Sequence, residues 1–416
     1  MRAWGALFRF LSSSTASLPP FLPFLLFVSV VAPSRPQWPL HQRGPVVLPR
    51  HTQEAPPPHF LSPARLDVAS PCDPACHHRA PPPSYWDLRR LLSYETLHSN
   101  GTLTETDVGI YGYSFRPPPE TRPDPEAVGL ASRPRSRRRR QIFGQDGRFS
   151  ITGRDFLSGY PFSTAVKLST GCSGTLVGER HVLTAAHCVH DGKNYVKGAQ
   201  RLRVGFLKPK SRETPSSPSL SSTGPRDNST SSPAIALGYP SPPAEEKMKF
   251  QWIRARRTHV PKGWIKAGAS ANELGMDYDY ALLELKKPHR RRSMKLGVSP
   301  PANRLPGGRV HFSGFDSDRP GQLVYRFCPA GEETGDLLYQ RCDAQPGASG
   351  SGVYARLWNR KKGRWERKVV GVFSGHQWVE RDGRAQEFNV AVKVTPLKYA
   401  QICYWIKGNY VDCREG

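Results

Sequence analysis

Gln345-Pro346-Gly347-Ala348-Ser349-Gly350-Ser351-Gly352 is the stretch on which the reading of this chain turns. A serine lies between glycines here, and two other stretches bring partners for it: Thr184-Ala185-Ala186-His187-Cys188 and Asp277-Tyr278-Asp279-Tyr280-Ala281-Leu282-Leu283. A serine hydroxyl is a poor nucleophile unless an imidazole takes its proton during attack. That imidazole needs a carboxylate on its other ring nitrogen to fix the tautomer. His187 is the candidate base, Asp279 the candidate orienting acid with Asp277 as a substitute, and Ser349 the candidate nucleophile. Taken singly, each has a plain structural reading. His187 is one of 13 histidines, Asp279 reads equally as a turn or cap residue, and Ser349 as part of a glycine-rich loop. Glycine at 347 has its own reason: a tight turn that aims the backbone N–H groups of Gly347 and Ser349 at one point makes an oxyanion hole, which a side chain at 347 would crowd.

Outward from that stretch, residues 141–416 read as short β-rich runs separated by Gly, Pro and Asp, in the manner of an antiparallel barrel or sandwich. The runs are 164–168, 174–177, 181–184, 201–206, 281–285, 309–314, 323–327, 352–357 and 369–374. Thr395 to Ile406 predicts a terminal amphipathic helix, with Pro396 near its start and apolar positions at 397, 402, 405 and 406. Residues 208–247, rich in Ser, Pro and Thr, predict an exposed, glycosylated loop.

The motifs Gly171-Cys172-Ser173-Gly174-Thr175-Leu176-Val177, Val182-Leu183-Thr184-Ala185-Ala186-His187-Cys188, Asp279-Tyr280-Ala281-Leu282-Leu283 and Gly347-Ala348-Ser349-Gly350-Ser351-Gly352 together resemble the chymotrypsin-like serine proteases. The resemblance implies an all-β fold of two six-stranded antiparallel barrels with a C-terminal helix. It also implies a His187–Asp279–Ser349 triad, an oxyanion hole at Gly347 and Ser349, and a bridge between Cys172 and Cys188. Proximity in the chain adds Cys328 with Cys342 and Cys403 with Cys413, leaving Cys72 with Cys76. A metal site of Cys72, Cys76, His77 and His78 is the alternative for that last cluster. Protein or peptide substrates follow, and the mechanism needs no cofactor.

The departures from that family carry information too. Its zymogens pair a newly exposed aliphatic amino terminus with an Asp directly before the nucleophile, whereas here Ala348 precedes Ser349 and cleavage after Arg140 would expose Gln141. The oxyanion loop is therefore expected to be ordered in another way. Asp343, six residues before Ser349, stands where the family places the acid that binds Lys or Arg side chains. However, Gln345-Pro346 replaces the usual cysteine-containing approach, and Ser374-Gly375-His376 replaces the usual pocket wall, so a rebuilt pocket is expected.

Ahead of residue 140 the composition changes. The chain has 416 residues, of which 37% are hydrophobic and 41 are proline, so part of it is expected to pack no core. Residues 1–32 read as a signal peptide, because the apolar run from Phe21 to Ala32 is shorter than the roughly 20 residues a bilayer needs. No stable membrane insertion is expected. Eight cysteines and the sequons at Asn100 and Asn228 fit the oxidising, extracellular compartment that a signal implies. Residues 33–140 predict a largely irregular pro-segment with a helical turn or two over 85–92. It closes on Arg135-Ser136-Arg137-Arg138-Arg139-Arg140, a site for a proprotein convertase after Arg140.

The net charge of +26 favours acidic partners. In a secreted chain those are sulfated glycans; nucleic acid is excluded by the export signal and by the lack of a nucleic-acid module. The basic runs 289–292 and 360–368 read equally as a heparan-sulfate contact and as exposed hairpins kept soluble by charge. Two functions survive: a secreted serine endopeptidase, and an inactive protease-fold binding protein of the extracellular matrix. The three retained side chains favour the first.

Overall fold

The computed structural model describes residues 48–72, 83–111, 142–208, 249–266, 275–381 and 384–413. The expected signal peptide, Arg140, Asn228, Cys76, His77, His78 and nearly all of the 208–247 insertion lie outside the described residues.

The segment ahead of the basic run carries more regular structure than its composition predicts. It contains β1 (Arg50–Ala55), β2 (Ala69–Cys72), helix α1 (Tyr85–Leu92), β3 (Tyr94–His98) and β4 (Leu103–Val108). The helix was legible: Ser84 accepts from the Asp87 amide, and the Asp87 carboxylate accepts from the Ser84 amide, a reciprocal cap just before the first turn. The strands were not, because their apolar residues are few. Leu97, Leu103 and Val108 turn inward while charged and hydroxyl side chains fill the remaining positions.

Next come β5 (Phe149–Ile151) and the short helix α2 (Arg154–Ser158), followed by β6 (Ala165–Leu168), β7 (Ser173–Gly178), β8 (His181–Thr184), β9 (Arg203–Lys208) and β10 (Lys249–Pro261). Helix α3 (Lys262–Lys266) and β11 (Ala281–Leu285) complete the first half. In the ladder β6–β7–β8–β11–β10–β9 every neighbour is antiparallel, and β9 pairs back with β6, closing six strands into a barrel. Val166, Leu176, Val182, Leu183, Val204 and Leu282 in these strands are fully buried, on one face of the sheet or the other. Strand β10 was missed by pattern because cationic residues occupy its outward positions from Arg254 to Arg257. Its 13 residues serve two neighbourhoods: the first half pairs with β9, the second with β11 and, on the opposite edge, with β3.

The second half contains β12 (Lys295–Leu296), β13 (Arg309–Gly314), β14 (Leu323–Glu333), β15 (Leu337–Gln340), β16 (Gly352–Asn359), β17 (Arg364–Arg381) and β18 (Arg384–Lys393), ending in helix α4 (Pro396–Lys407). The ring β13–β14–β15–β18–β17–β16 closes a second six-stranded antiparallel barrel, with β5 added to β14 and β2 laid parallel to β17. The two expected barrels and the C-terminal helix are therefore the fold. Thr395 caps α4 at the Lys398 amide, and Gly408 ends it at a left-handed φ of 74°. Leu48, Leu92, Tyr94, Leu97 and Val108 from ahead of the basic run share one hydrophobic core with Val166, Leu282 and Trp405.

Candidate active site

Strand pairing brings the first two candidate residues together. Thr184 at the end of β8 is opposite Ala281 at the start of β11, so the turns just beyond them meet. His187 sits in the turn after β8 and Asp279 two residues before β11. The Asp279 carboxylate grips His187 twice: Oδ1 accepts the His187 backbone N–H at 2.8 Å, and Oδ2 accepts from Nδ1 at 2.7 Å. A proton on Nδ1 leaves the Nε2 lone pair as the acceptor, the form a general base requires. The substitute acid, Asp277, faces Asp336 and Lys398 instead. Burial and the Asp336 carboxylate push its pKa up to about 6.

The Ser349 loop is stitched into both barrels. Ser173 N–H donates to the Ser349 carbonyl at 2.9 Å, Ser173 Oγ to the Gly347 carbonyl at 2.8 Å, and Gly350 N–H to the Phe373 carbonyl at 2.7 Å. Gly347 has a φ of 99°, and a Cβ there would lie 2.6 Å from the Phe315 carbonyl oxygen, so glycine is required by both conformation and space. The Ser349 hydroxyl donates to the Ser374 carbonyl at 2.8 Å, and the Ser374 hydroxyl in turn donates to Asp279 Oδ2. Ser349 is thus linked through Ser374 to Asp279 and His187, and the Ser374 hydroxyl contacts the acid directly.

These side chains are covered. His187 and Asp279 are 0% exposed and Ser349 is 1% exposed. The cover is the chain's own segment 59–72. On the first barrel, Tyr195 N–H donates to the His59 carbonyl at 3.1 Å and Lys197 N–H to the Ser62 carbonyl at 2.7 Å. The Gly347 N–H then donates to the Leu66 carbonyl at 3.0 Å, and the His376 N–H to the Val68 carbonyl at 2.9 Å. From there β2 runs parallel to His376–Val379. A Cβ on Gly375 would overlap the Val68 backbone, so glycine permits this close approach. A backbone carbonyl of the segment therefore sits on the donor expected to bind an oxyanion. The next residue, Asp67, leads toward β17, whereas the base is carried by the first barrel.

Asp343 is also engaged. Its two carboxylate oxygens accept from the Phe143 and Gly147 amides, each at 2.7 Å, so the acid expected for a cationic side chain is taken up by the stretch after the basic run. His376 is packed edge-on to Trp378, and burial lowers its pKa. Among the described residues three disulfides are present, Cys172–Cys188, Cys328–Cys342 and Cys403–Cys413. The first ties the residue beside His187 to β7. Asn100 is exposed in the turn between β3 and β4. The two basic runs approach each other: Arg292 lies 4.7 Å over the Tyr160 ring, whose hydroxyl donates to the Arg367 carbonyl at 3.2 Å. Beside them is a cavity of about 280 Å³ lined by Tyr160, His311, Tyr325, Tyr354, Arg356 and Arg367.

Pattern reading missed the contact of Leu66 and Val68, whose segment carries no motif. It also missed Arg148 and Asp316, which are ordinary charged residues until the fold buries them. Ser374 was found but given another role.

A trypsin-like peptidase domain model matches residues 172–359. Serine protease 23 of Rattus norvegicus is 62% identical over 384 residues, covering 92% of this chain and 93% of that protein. A protein of Mus musculus named inactive serine protease 35 is 47% identical over 387 residues, covering 90% and 92%. Among solved structures, a Glu endopeptidase in complex with MPD is similar at 19% identity and a TM-score of 0.41, covering 64% of this chain and 99% of that one.

Proposed function

We propose, from the premise that this chain belongs to the serine protease 23 family, that it cuts its substrates through Ser349, His187 and Asp279, and that it is secreted as a precursor whose own residues 59–72 fill the cleft. The family makes it a serine endopeptidase acting on proteins or peptides; the proposal concerns the means and the control. The observation that carries it is the double hold of Asp279 on His187, beside a buried serine on a glycine turn. In the reaction the Ser349 hydroxyl turns from the Ser374 carbonyl to His187 Nε2 and attacks the substrate carbonyl carbon as its proton passes to the imidazole. The tetrahedral oxyanion is held by the N–H groups of Gly347 and Ser349. His187 then protonates the leaving amine, and water releases the acyl group from Ser349 by the same steps in reverse order.

Secretion is supported by the amino-terminal apolar run, by three disulfides that need an oxidising compartment, and by an exposed sequon at Asn100. Convertase cleavage after Arg140 is part of the same reading. The convergence of the basic runs near Tyr160 supports heparan sulfate as a partner. Control by the segment is supported by the Leu66 carbonyl on the Gly347 amide. A peptide that enters must displace it.

The test is reaction of the purified protein with a fluorophosphonate probe, using a chain with a specific protease site inserted between Ala64 and Arg65 and a Ser349→Ala control. Labelling is expected to be slow before cutting, to rise after it, and to be absent from the control. Labelling of both proteins, or of neither before and after cutting, would sink the catalytic reading. The second reading, an inactive protease-fold scaffold, is favoured by the Ser349–Ser374 bond and the covered cleft. It expects no labelling in any form.

A further inference from the structure

The residue before Ser349 is Ala348, 0% exposed, so the loop that carries the Gly347 amide has no acid of its own to pair with a new amino terminus. Yet that loop is held at three successive points. The Asp343 carboxylate is bound by the Phe143 and Gly147 amides. The Gln345 N–H donates to Asp316 Oδ2 at 3.0 Å, and the Pro346 carbonyl accepts from the Ser317 N–H at 2.7 Å. Gly347 follows directly.

Asp316 is itself 0% exposed and is held by two arginines, Arg148 at 2.8 Å and Arg326. The Arg148 side chain is 3% exposed, and its guanidinium also bonds Asp146 and Asp318, at 2.8 and 2.7 Å. Arg319 closes the cluster on Asp146 at 2.9 Å. Three carboxylates face three guanidinium groups here, so the cluster compensates its own charge. Arg148 lies eight residues after the basic run, in the stretch whose Phe143 and Gly147 amides hold Asp343.

We propose that Arg148 is a positioning residue: acting through Asp316, it holds the loop that presents the Gly347 N–H, and it does so in the uncleaved and the cleaved chain alike. The proposal rests on the serine-endopeptidase reading. It assigns to an internal guanidinium the work that the trypsin-like pattern gives to a free amino terminus. A guanidinium stays charged across the working pH range, whereas an α-amine loses its charge above about 8. Cleavage after Arg140 then creates no charge on which the loop depends, and Gln141 is free to cyclise.

Two measurements test this. The first uses unmodified residues and compares protein cleaved after Arg140 and bearing a free Gln141 with the same protein cyclised at Gln141, both carrying a cut between Ala64 and Arg65. Equal kcat is expected, with no fall between pH 7.5 and 9.5. A severalfold loss on cyclisation, or a fall with a midpoint near about 8, would overturn the proposal. The second compares Arg148→Met and Arg148→Lys in the full chain carrying the same cut between Ala64 and Arg65. Arg148→Met is expected to lower kcat at least tenfold with KM within about twofold, since losing an oxyanion donor costs about 10²–10³. Arg148→Lys should recover part of the loss.

Amide hydrogen exchange over residues 343–351 should accelerate in Arg148→Met while the β6–β11 barrel keeps its protection, a readout independent of turnover. Unchanged exchange and unchanged kcat in that variant would refute the assignment. Should Arg148→Met not fold, the comparison of Gln141 forms decides. If no wild-type form reacts with a fluorophosphonate, the endopeptidase reading fails. The exchange measurement still decides whether Arg148 orders the loop.

Discussion

An imidazole can serve as a base only in the right tautomer, and at His187 one residue determines it. Asp279 accepts from the ring and from the backbone of the same histidine, so neither the ring's rotation nor its protonated nitrogen is free to vary. Asp277, two residues away, shows what the same side chain does without such partners. Set against Asp336 and burial, its pKa rises to about 6, and Lys398 offsets only part of that. A carboxyl whose pKa is raised on folding helps the folded state below its unfolded value, near 3.8, and loses that contribution as pH rises through 6. Replacement by asparagine removes a penalty worth at most about 3 kcal/mol at neutral pH. Asp277→Asn is therefore expected to raise the melting temperature at pH 7 to 8 and to leave it unchanged at pH 4. A melting temperature that falls at pH 7 would contradict the placement. The reading of Asp279 over Asp277 was legible in the motif, but its cause was not. Two aspartates two positions apart differ only in which neighbours the fold supplies.

Among the elements, β3 and β4 are the ones whose role differs most from their sequence appearance. They extend the first barrel through β10, in the register Tyr94 to Pro261 and His98 to Arg257. Tyr94 packs edge-on to His259 and Trp405, joining β3, β10 and α4 around one aromatic contact, and Thr96 Oγ1 bonds His259 Nδ1 at 2.9 Å. Leu97 is 2% exposed in that core. Leu97→Ala is expected to destabilise the whole protein by about 2–5 kcal/mol, the usual cost of a buried leucine, seen as one shifted denaturant transition. An unshifted main transition would mean that the segment folds apart from the barrels. Pattern reading reached α1 because a helix is held by contacts within its own few residues. It missed β3 and β4 because strands with so few apolar residues gain their stability from the sheet they join, and β3 joins it at β10, where His98 meets Arg257 far along the chain.

At the scale of the molecule, the stretch ahead of the basic run behaves as part of the catalytic unit. The described residues fall in one compact unit, and Leu48, Leu92, Tyr94 and Val108 are buried in the main core. Convertase cleavage after Arg140 is therefore expected to yield two chains that stay together, with 59–72 still across Ser349. Size-exclusion chromatography under native conditions followed by denaturing gel analysis should find both fragments in one peak. Elution of the amino-terminal fragment alone would show that the core contacts do not hold it. Removing the cover then needs a second event at the 59–72 segment, separate from the cut at 140. By itself the sequence determined the barrels, the C-terminal helix, the Cys172–Cys188 bridge and the order His187, Asp279, Ser349. The helix follows from its period and its Pro near the start; the two barrels, the bridge and the order of the three side chains follow from the family that the short motifs resemble. Only the tertiary structure decided that the Leu66 carbonyl meets the Gly347 amide, that Arg148 reaches the loop ahead of Gly347 through Asp316, and that Asp343 is satisfied by backbone amides. Those contacts join residues far apart in the chain, where single polar groups leave no periodic trace and acquire their strength only once burial has removed the competing water.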